Sequence, residues 1–317
     1  MRIGIIGQPC IDEIVHDGST VAKLALGGVL YSYAAMERIM RDCGSASDTF
    51  VPLTWLSKPD NSLLAPLLDK LNYLEHDTGF WNTEELSNRV QLRYKPNGER
   101  TEHCPHILPP LKESEITPEL LEKLDGLFIN MISGFDISIA TLEAALLSAK
   151  KRPYIHLDVH ALVLGQLSNS NDGDFGSGRE PRGVSEWMRW LAIADSIQMN
   201  DFEIRWFADP EIKSEREFIE AVCKIEDRHP EHIIVTKAAL GATMFDINAG
   251  KVYHASPAPV AAIETTGSGD VFGSAFIFFI LAGHSAEDAL QLAVKWATWN
   301  TTLTGIDQII DSSQITF

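Results

Sequence analysis

Glu264-Thr265-Thr266-Gly267-Ser268-Gly269-Asp270-Val271-Phe272-Gly273 leaves a Pro- and Ala-containing loop and leads into the apolar run Ala275 to Ala282. Glycines and small residues at a helix start let several unpaired backbone N–H groups face one anion, and the macrodipole adds about half a positive charge there. The segment reads as a phosphate cradle that opens a buried helix. Asp270 falls in its first turn, where a carboxylate is stabilised and can accept a proton from a hydroxyl beside the anion. The same residues also suit a plain tight turn with Asp270 as a helix cap, so the motif alone does not decide.

Outward from this helix, short Val- and Ile-rich runs alternate with segments of helical period, the pattern of an α/β fold with a mostly parallel sheet. The expected strands are Arg2 to Gly7, Gly126 to Asn130, Tyr154 to His160, Ser196 to Asn200, His232 to Lys237, Ala242 to Ile247 and Val252 to Ala255. Expected helices include Gly28 to Cys43, Asn61 to Asn72, Ile137 to Lys150, Val184 to Ala194, Ser214 to Arg228 and Ser268 to Ala282. Residues 13–26 and 89–104 break the alternation. The second has a period-two run interrupted by Pro96-Asn97-Gly98, and Asn-Gly between such runs signals a hairpin. The two segments are expected to pair as a small β-lid on a single domain spanning 1–317. Ser168 to Gly183, with four glycines, reads as a long loop.

The 317 residues carry 26 Lys+Arg against 44 Asp+Glu, a net charge of −18, which argues against a nucleic-acid or anionic-membrane partner. Apolar residues at 45% and charged residues at 22% fit a globular protein and not a disordered one. Cys10, Cys43, Cys104 and Cys223 lie far apart without a C-x-x-C pair, so neither a disulfide framework nor a zinc site is expected. The N-terminus reads directly as a strand, and the longest apolar run falls well short of the roughly 20 residues that span a bilayer. A cytoplasmic protein is expected. No Walker A sequence or G-x-G-x-x-G turn occurs, against a P-loop NTPase or a dinucleotide dehydrogenase. The pairs His103/His106, His156/His160 and His229/His232 lack a metal-binding pattern and read as surface or satisfied core histidines. Asn171 to Asp174 has the spacing of a poor calcium loop and reads as solvated.

The segment from Glu264 to Phe272 resembles the signature of the ribokinase-like (PfkB) carbohydrate kinases, Asp-Thr-Thr-Gly-Ala-Gly-Asp-x-Phe, with Glu264 for the first Asp and Ser268 for Ala. Further likenesses follow in chain order. Leu26-Gly27-Gly28-Val29-Leu30-Tyr31-Ser32-Tyr33-Ala34 is similar to the family's Gly-Gly-x-x-x-Asn-x-Ala, with Ser32 in the Asn position, and Asp12 stands where the family's first strand is followed by a substrate-binding Asp. Asn200-Asp201-Phe202-Glu203 matches Asn-x-x-Glu, and Thr236 to Ala242 resembles Thr-x-Gly-x-x-Gly-Ala with Ala238 for the first glycine. Ala293 to Gly305 resembles the helix and turn beside the adenine and a monovalent-cation loop. Taken alone, Asn200 and Glu203 also satisfy a capping box, and Trp296, Trp299 and Asn300 read best as core.

The resemblance implies a three-layer α/β/α sandwich with a small β-lid, and an ATP-dependent kinase acting on a hydroxyl of a sugar, nucleoside or related polyol. Asp270 is then the base, with the amides of Gly267, Ser268, Gly269 and Asp270 as the anion hole. Asn200, Glu203, Thr236, Gly241 and Thr266 face the nucleotide, and Glu203 organises Mg²⁺ through water. Asp12, Gly27, Gly28 and Ser32 face the acceptor. ATP and Mg²⁺ are the expected cofactors, with K⁺ admitted as a third, and a homodimer through the lid is compatible with exposed strand edges. The departures at Ser32 and Ala238 keep open a second reading, a catalytically weak sensor of nucleotide or sugar on the same fold.

Overall fold

The computed structural model describes residues 1–16, 23–94, 100–165 and 180–312. The expected turn at Pro96-Asn97-Gly98, the stretch Asn171 to Asp174 and most of the Ser168 to Gly183 loop lie outside them. The chain opens with β1 (Arg2–Ile6), β2 (Pro9–His16), β3 (Lys23–Gly28) and α1 (Leu30–Cys43). It continues through β4 (Thr49–Ser57), α2 (Asn61–Leu68), β5 (Phe80–Thr83), β6 (Asn88–Tyr94) and β7 (Arg100–His106). Then come α3 (Pro118–Leu121), β8 (Gly126–Asn130), α4 (Ile139–Ser148) and β9 (Tyr154–Asp158). β10 (Leu164–Gly165), β11 (Glu180–Pro181), α5 (Trp187–Ile193), β12 (Ser196–Asn200), α6 (Ile204–Phe207) and α7 (Glu215–Val222) follow. The last part holds β13 (His232–Thr236), β14 (Ala242–Asp246), β15 (Lys251–Ala255), α8 (Ser268–Leu281), α9 (Ala286–Asn300) and α10 (Gly305–Asp311).

Nine strands form the central sheet in the order β15-β14-β13-β12-β9-β8-β1-β4-β5, parallel except for the antiparallel pairings of β14. Strands such as β8 are buried along their whole length, which is why they read as unbroken apolar runs and not as alternation. One core packs α1, α2, α8, α9 and α10 on one face, and a second packs α3 to α7 on the other. The result is a three-layer α/β/α sandwich. β1 has β4 on one side and β8 on the other, so the chain changes winding direction there, the point where open α/β sheets bind ligands. A second sheet, β3-β2-β6-β7, joins the N-terminal hairpin to the β6-β7 hairpin by parallel pairing of β2 with β6.

The structure moves several sequence boundaries. β1 ends at Ile6, before Gly7, and the second sheet begins at Pro9, four residues ahead of the expected segment. β4 and β5 carry no strand assignment in the sequence reading. Pro52 interrupts the β4 run and argues against a central strand, yet β4 pairs with β1 on one side and β5 on the other. Tertiary burial overrides local propensity here: Phe50, Val51 and Leu53 are fully buried. The helix read as Asn61 to Asn72 stops at Leu68 after an internal Pro66, and the one read as Ser214 to Arg228 stops at Val222. Among the described residues no helix is long and apolar enough to cross a membrane.

α8 is apolar all round because it lies between the sheet and its neighbouring helices, with Val271 to Phe279 buried. Its approach to the sheet depends on Gly273, where a Cβ would fall 2.4 Å from Phe128 Cζ and 2.8 Å from Gln198 Oε1. Phe128 is fully buried and has no room to withdraw. Gly273→Ala is therefore expected to destabilise the fold by about 1–3 kcal/mol through overpacking, read as a lower midpoint in urea unfolding; an unchanged midpoint would show that helix and sheet are not pressed together.

Candidate active site

The cradle expected at Gly267 to Asp270 forms the N-terminus of α8. Gly267 is left-handed at φ +78°, and a Cβ on it would lie 2.1 Å from Tyr31 Cδ1, so only glycine fits. Asn300, buried on α9, braces the turn by donating from Nδ2 to Thr266 O at 3.0 Å and to Ser268 Oγ at 3.2 Å. The Ser268 amide closes a turn on the Thr265 carbonyl at 3.2 Å, whereas the amides of Gly267, Gly269 and Asp270 meet no backbone carbonyl among the described residues. The Asp270 amide turns to its own carboxylate, which leaves the amides of Gly267 and Gly269 to face an anion. A Cβ at Gly269 would meet only Asp158 Oδ2 and Gln198 Nε2, both at 3.9 Å, which leaves open space over the amides for an anion.

Asp270 is tied to the winding switch. Asn130, at the C-terminal end of β8, donates from Nδ2 to Asp270 Oδ1 at 2.6 Å and to Ser32 Oγ at 2.7 Å. Burial pushes the Asp270 carboxyl up to about 6, against the hydrogen bonds from Asn130 and Ser32 that favour its charged form. It is thus a carboxylate near neutrality whose affinity for a proton is raised, the tuning a general base needs. Ser32, fully buried on α1, accepts from Asn130 Nδ2 and itself hydrogen-bonds the Asp270 carboxylate.

On the other side of the cradle, Asp158 ends β9 and is nearly buried. Gln198 Nε2 bridges Asp158 Oδ2 at 2.5 Å and Gly269 O at 3.1 Å, and the His160 amide donates to Asp158 Oδ1 at 2.8 Å. Burial and the charge of Glu203 raise Asp158 to about 7. Glu203 itself accepts from the Asn200 amide at 2.8 Å, from Asn200 Nδ2 at 2.7 Å, and faces His160 Nδ1 at 2.6 Å. Thr236 pairs with Asn200 in register, and the turn after it returns through Gly241 at φ +87°, where a Cβ would strike Ala255 O. Ala238 in that turn has φ +47°, the strained left-handed region and not the negative φ that alanine prefers.

The residues expected on the acceptor side form a third group. Asp12 lies on β2 opposite Ala25 of β3, receives Cys10 Sγ–H at 3.2 Å, and occupies the space beside Gly27, where a Cβ would lie 2.5 Å from Asp12 Oδ2. Gly28, at φ +64°, ends β3 and leads into α1. Cys10 packs with Val90 and Leu92, so this carboxylate stands beside an apolar patch of the second sheet. Tyr31 of α1 packs on Gly267, linking the acceptor group to the cradle.

Residues 173–312 match the pfkB family carbohydrate kinase. A curated ribokinase from Haemophilus influenzae is 27% identical over 126 residues, and that match spans 40% of this chain and 40% of the relative. Among solved structures, a pyrophosphate-dependent kinase in the ribokinase family complexed with a pyrophosphate analog and myo-inositol superposes with a TM-score of 0.74 at 18% identity, covering 96% of both chains. Ribokinase from Thermotoga maritima gives 0.69 at 19% identity over 97% of this chain and 95% of that one. The chain has the ribokinase-like (PfkB) fold.

Around the cradle, the sequence reading missed Asn130, Asp158, His160, Gln198 and Asn300. Four of the five stand on or just beyond parallel strands that end at the site, so the ends of the apolar runs were the available signal; Asn300 had none, being one polar residue within a helix. Two tests follow from the geometry. Ala238→Gly should remove the positive-φ strain and raise stability by about 1 kcal/mol, seen as a higher Tm. Asp158 keeps a proton in the folded state that the unfolded chain releases from about pH 4, so its contribution to stability falls as pH rises from there through about 7. Asp158→Asn should accordingly gain on the parent protein in Tm at pH 8 and not at pH 4; equal differences at both would exclude a buried, raised carboxyl.

Proposed function

We propose that the protein is an ATP-dependent phosphotransferase that moves the γ-phosphoryl group to a hydroxyl of a small sugar, nucleoside or related polyol. The observation that carries this is Asp270, a raised carboxyl held by Asn130 beside the amides of Gly267 and Gly269 at the N-terminus of α8. Asp270 takes the proton of the acceptor hydroxyl as its oxygen bonds to the γ-phosphorus. The bond from that phosphorus to the bridging oxygen breaks and ADP leaves. The amides of Gly267 and Gly269 face the phosphoryl oxygens, where preorganised donors stabilise developing charge.

Two carboxylates, Asp158 and Glu203, lie near each other without a Lys or Arg partner among the described residues, and burial together with the Glu203 charge raises Asp158. Oxygen donors of this kind fit Mg²⁺. The ion would be held by Glu203, through water, and by Asp158, and would supply charge neutralisation for the phosphates. Thr236, Gly241 and Thr266 belong to the same donor side. There Leu240, Val260 and Ile263 are exposed apolar residues on the stretch that runs from the Gly241 turn to the cradle, a surface suited to a nucleobase and of no use to a bare pyrophosphate. Asp12, Gly27 and Gly28 would bind the acceptor, with the second sheet as a lid over it. A K⁺ requirement, a dimer through the lid edges and a cytoplasmic setting belong to the same reading.

The test is ADP release from Mg·ATP across sugars, polyols and nucleosides, with pyrophosphate as a rival donor. Acceptor-dependent turnover with ATP is expected, with kcat/KM rising through about pH 6 as Asp270 ionises. Asp270→Asn should lower kcat by ~10²–10⁴ and leave ATP binding intact. Full turnover in that variant would remove Asp270 as the base. ATP binding without turnover on any acceptor would favour the sensor reading, for which strained Ala238 in the donor turn is the motive.

A further inference from the structure

His232, the first residue of β13, is 6% exposed, and its imidazole has no hydrogen-bond partner among the described residues, with Nδ1 fully enclosed. Leaving a buried polar atom unmade costs about 1–3 kcal/mol, so such a ring calls for a ligand. The β13-β14 register sets His232 directly opposite Asp246, on the same face of an antiparallel pair, and Glu231 precedes it. The ligand atoms of Glu231, His232 and Asp246 all lie within 4.8 Å of one another. Neither carboxylate has a Lys or Arg partner among the described residues. The neighbouring Asp195 is already engaged by Arg152 and Arg228, and Asp246 Oδ1 accepts only the Ala249 amide at 2.7 Å.

We infer that Glu231, His232 and Asp246 form a binding site for a divalent transition-metal ion of the Zn²⁺ class. One imidazole nitrogen with two carboxylates is the donor set of such ions, whereas Mg²⁺ and Ca²⁺ prefer oxygen alone. Ligands about 2.0–2.1 Å from a tetrahedral ion sit roughly 3.4 Å apart, so closure asks for a small rotation, which the exposed Glu231 side chain is free to make. The site is structural. His232 begins β13 while Thr236, on the donor side, ends it, a separation of about 13 Å at roughly 3.3 Å per strand residue. The ring also meets Phe276 of α8 edge-on, centroids 6.4 Å apart, so an ion here would fix the far end of the packing beneath the cradle helix.

The experiment strips the full chain with chelator and titrates it with Zn²⁺ by calorimetry and with Co²⁺ by visible absorption, alongside Glu231→Gln and His160→Gln. Glu231 is exposed, so its variant keeps the fold, and His160→Gln controls for binding at the Asp158/Glu203 cluster. Expected are one ion per chain, the ligand-field bands of tetrahedral Co²⁺, a rise in Tm with Zn²⁺ that Glu231→Gln loses, at least tenfold weaker binding in Glu231→Gln and unchanged binding in His160→Gln. Binding that Glu231→Gln leaves intact, or that His160→Gln abolishes, would overturn the site, as would no binding at all.

Discussion

Gly267 stands at φ +78° with the Tyr31 ring where its own Cβ would be. This contact joins two halves of the molecule that are distant in sequence: the Gly27-Gly28 entry to α1 and the Gly-rich entry to α8. A side chain at residue 267 would push the helix start away from α1. The amide of Gly269 would then lose its aim, and Asp270 its hold on Asn130. The geometry of the cradle therefore depends on an absence of atoms, backed by Asn300 from behind.

The electrostatics of the site come from burying acids that have no Lys or Arg partner among the described residues, with His160 the basic group beside them. Asp270 and Asp158 both have carboxyls raised by desolvation, to about 6 and about 7, and both are held by amide side chains, Asn130 and Gln198, in place of Lys or Arg. An amide orients a carboxylate without neutralising it. One acid is thereby left able to take a proton, and a pair is left able to attract a cation. The cost to stability is the usual one for sites that keep charge out of water.

Much of the fold was legible because parallel strands buried on both faces appear as apolar runs, and β8 and β12 were read to the residue. β4 was not, since Pro52 hid a strand that only its neighbours on both sides make central. The cradle was legible from its glycines and from Asp270. The residues that tune it were not, because an Asn, Asp or Gln at a strand end has no local pattern to mark it. His232 shows the same limit from the other direction: as a motif it was an ordinary histidine, and only the register opposite Asp246 adds a second carboxylate to that of adjacent Glu231.

The sequence by itself determined the layer pattern, the acidic surface and the glycine-opened helix, because periodicity, charge count and the steric freedom of glycine are local properties. Tertiary structure decided which side chains meet. Asn130 reaches Asp270 across 140 residues, Gln198 reaches Asp158 across 40, and Asn300 reaches Thr266 across 34. Such contacts arise from the order of strands in the sheet and the pressing of α8 onto it, and no stretch of chain contains that order.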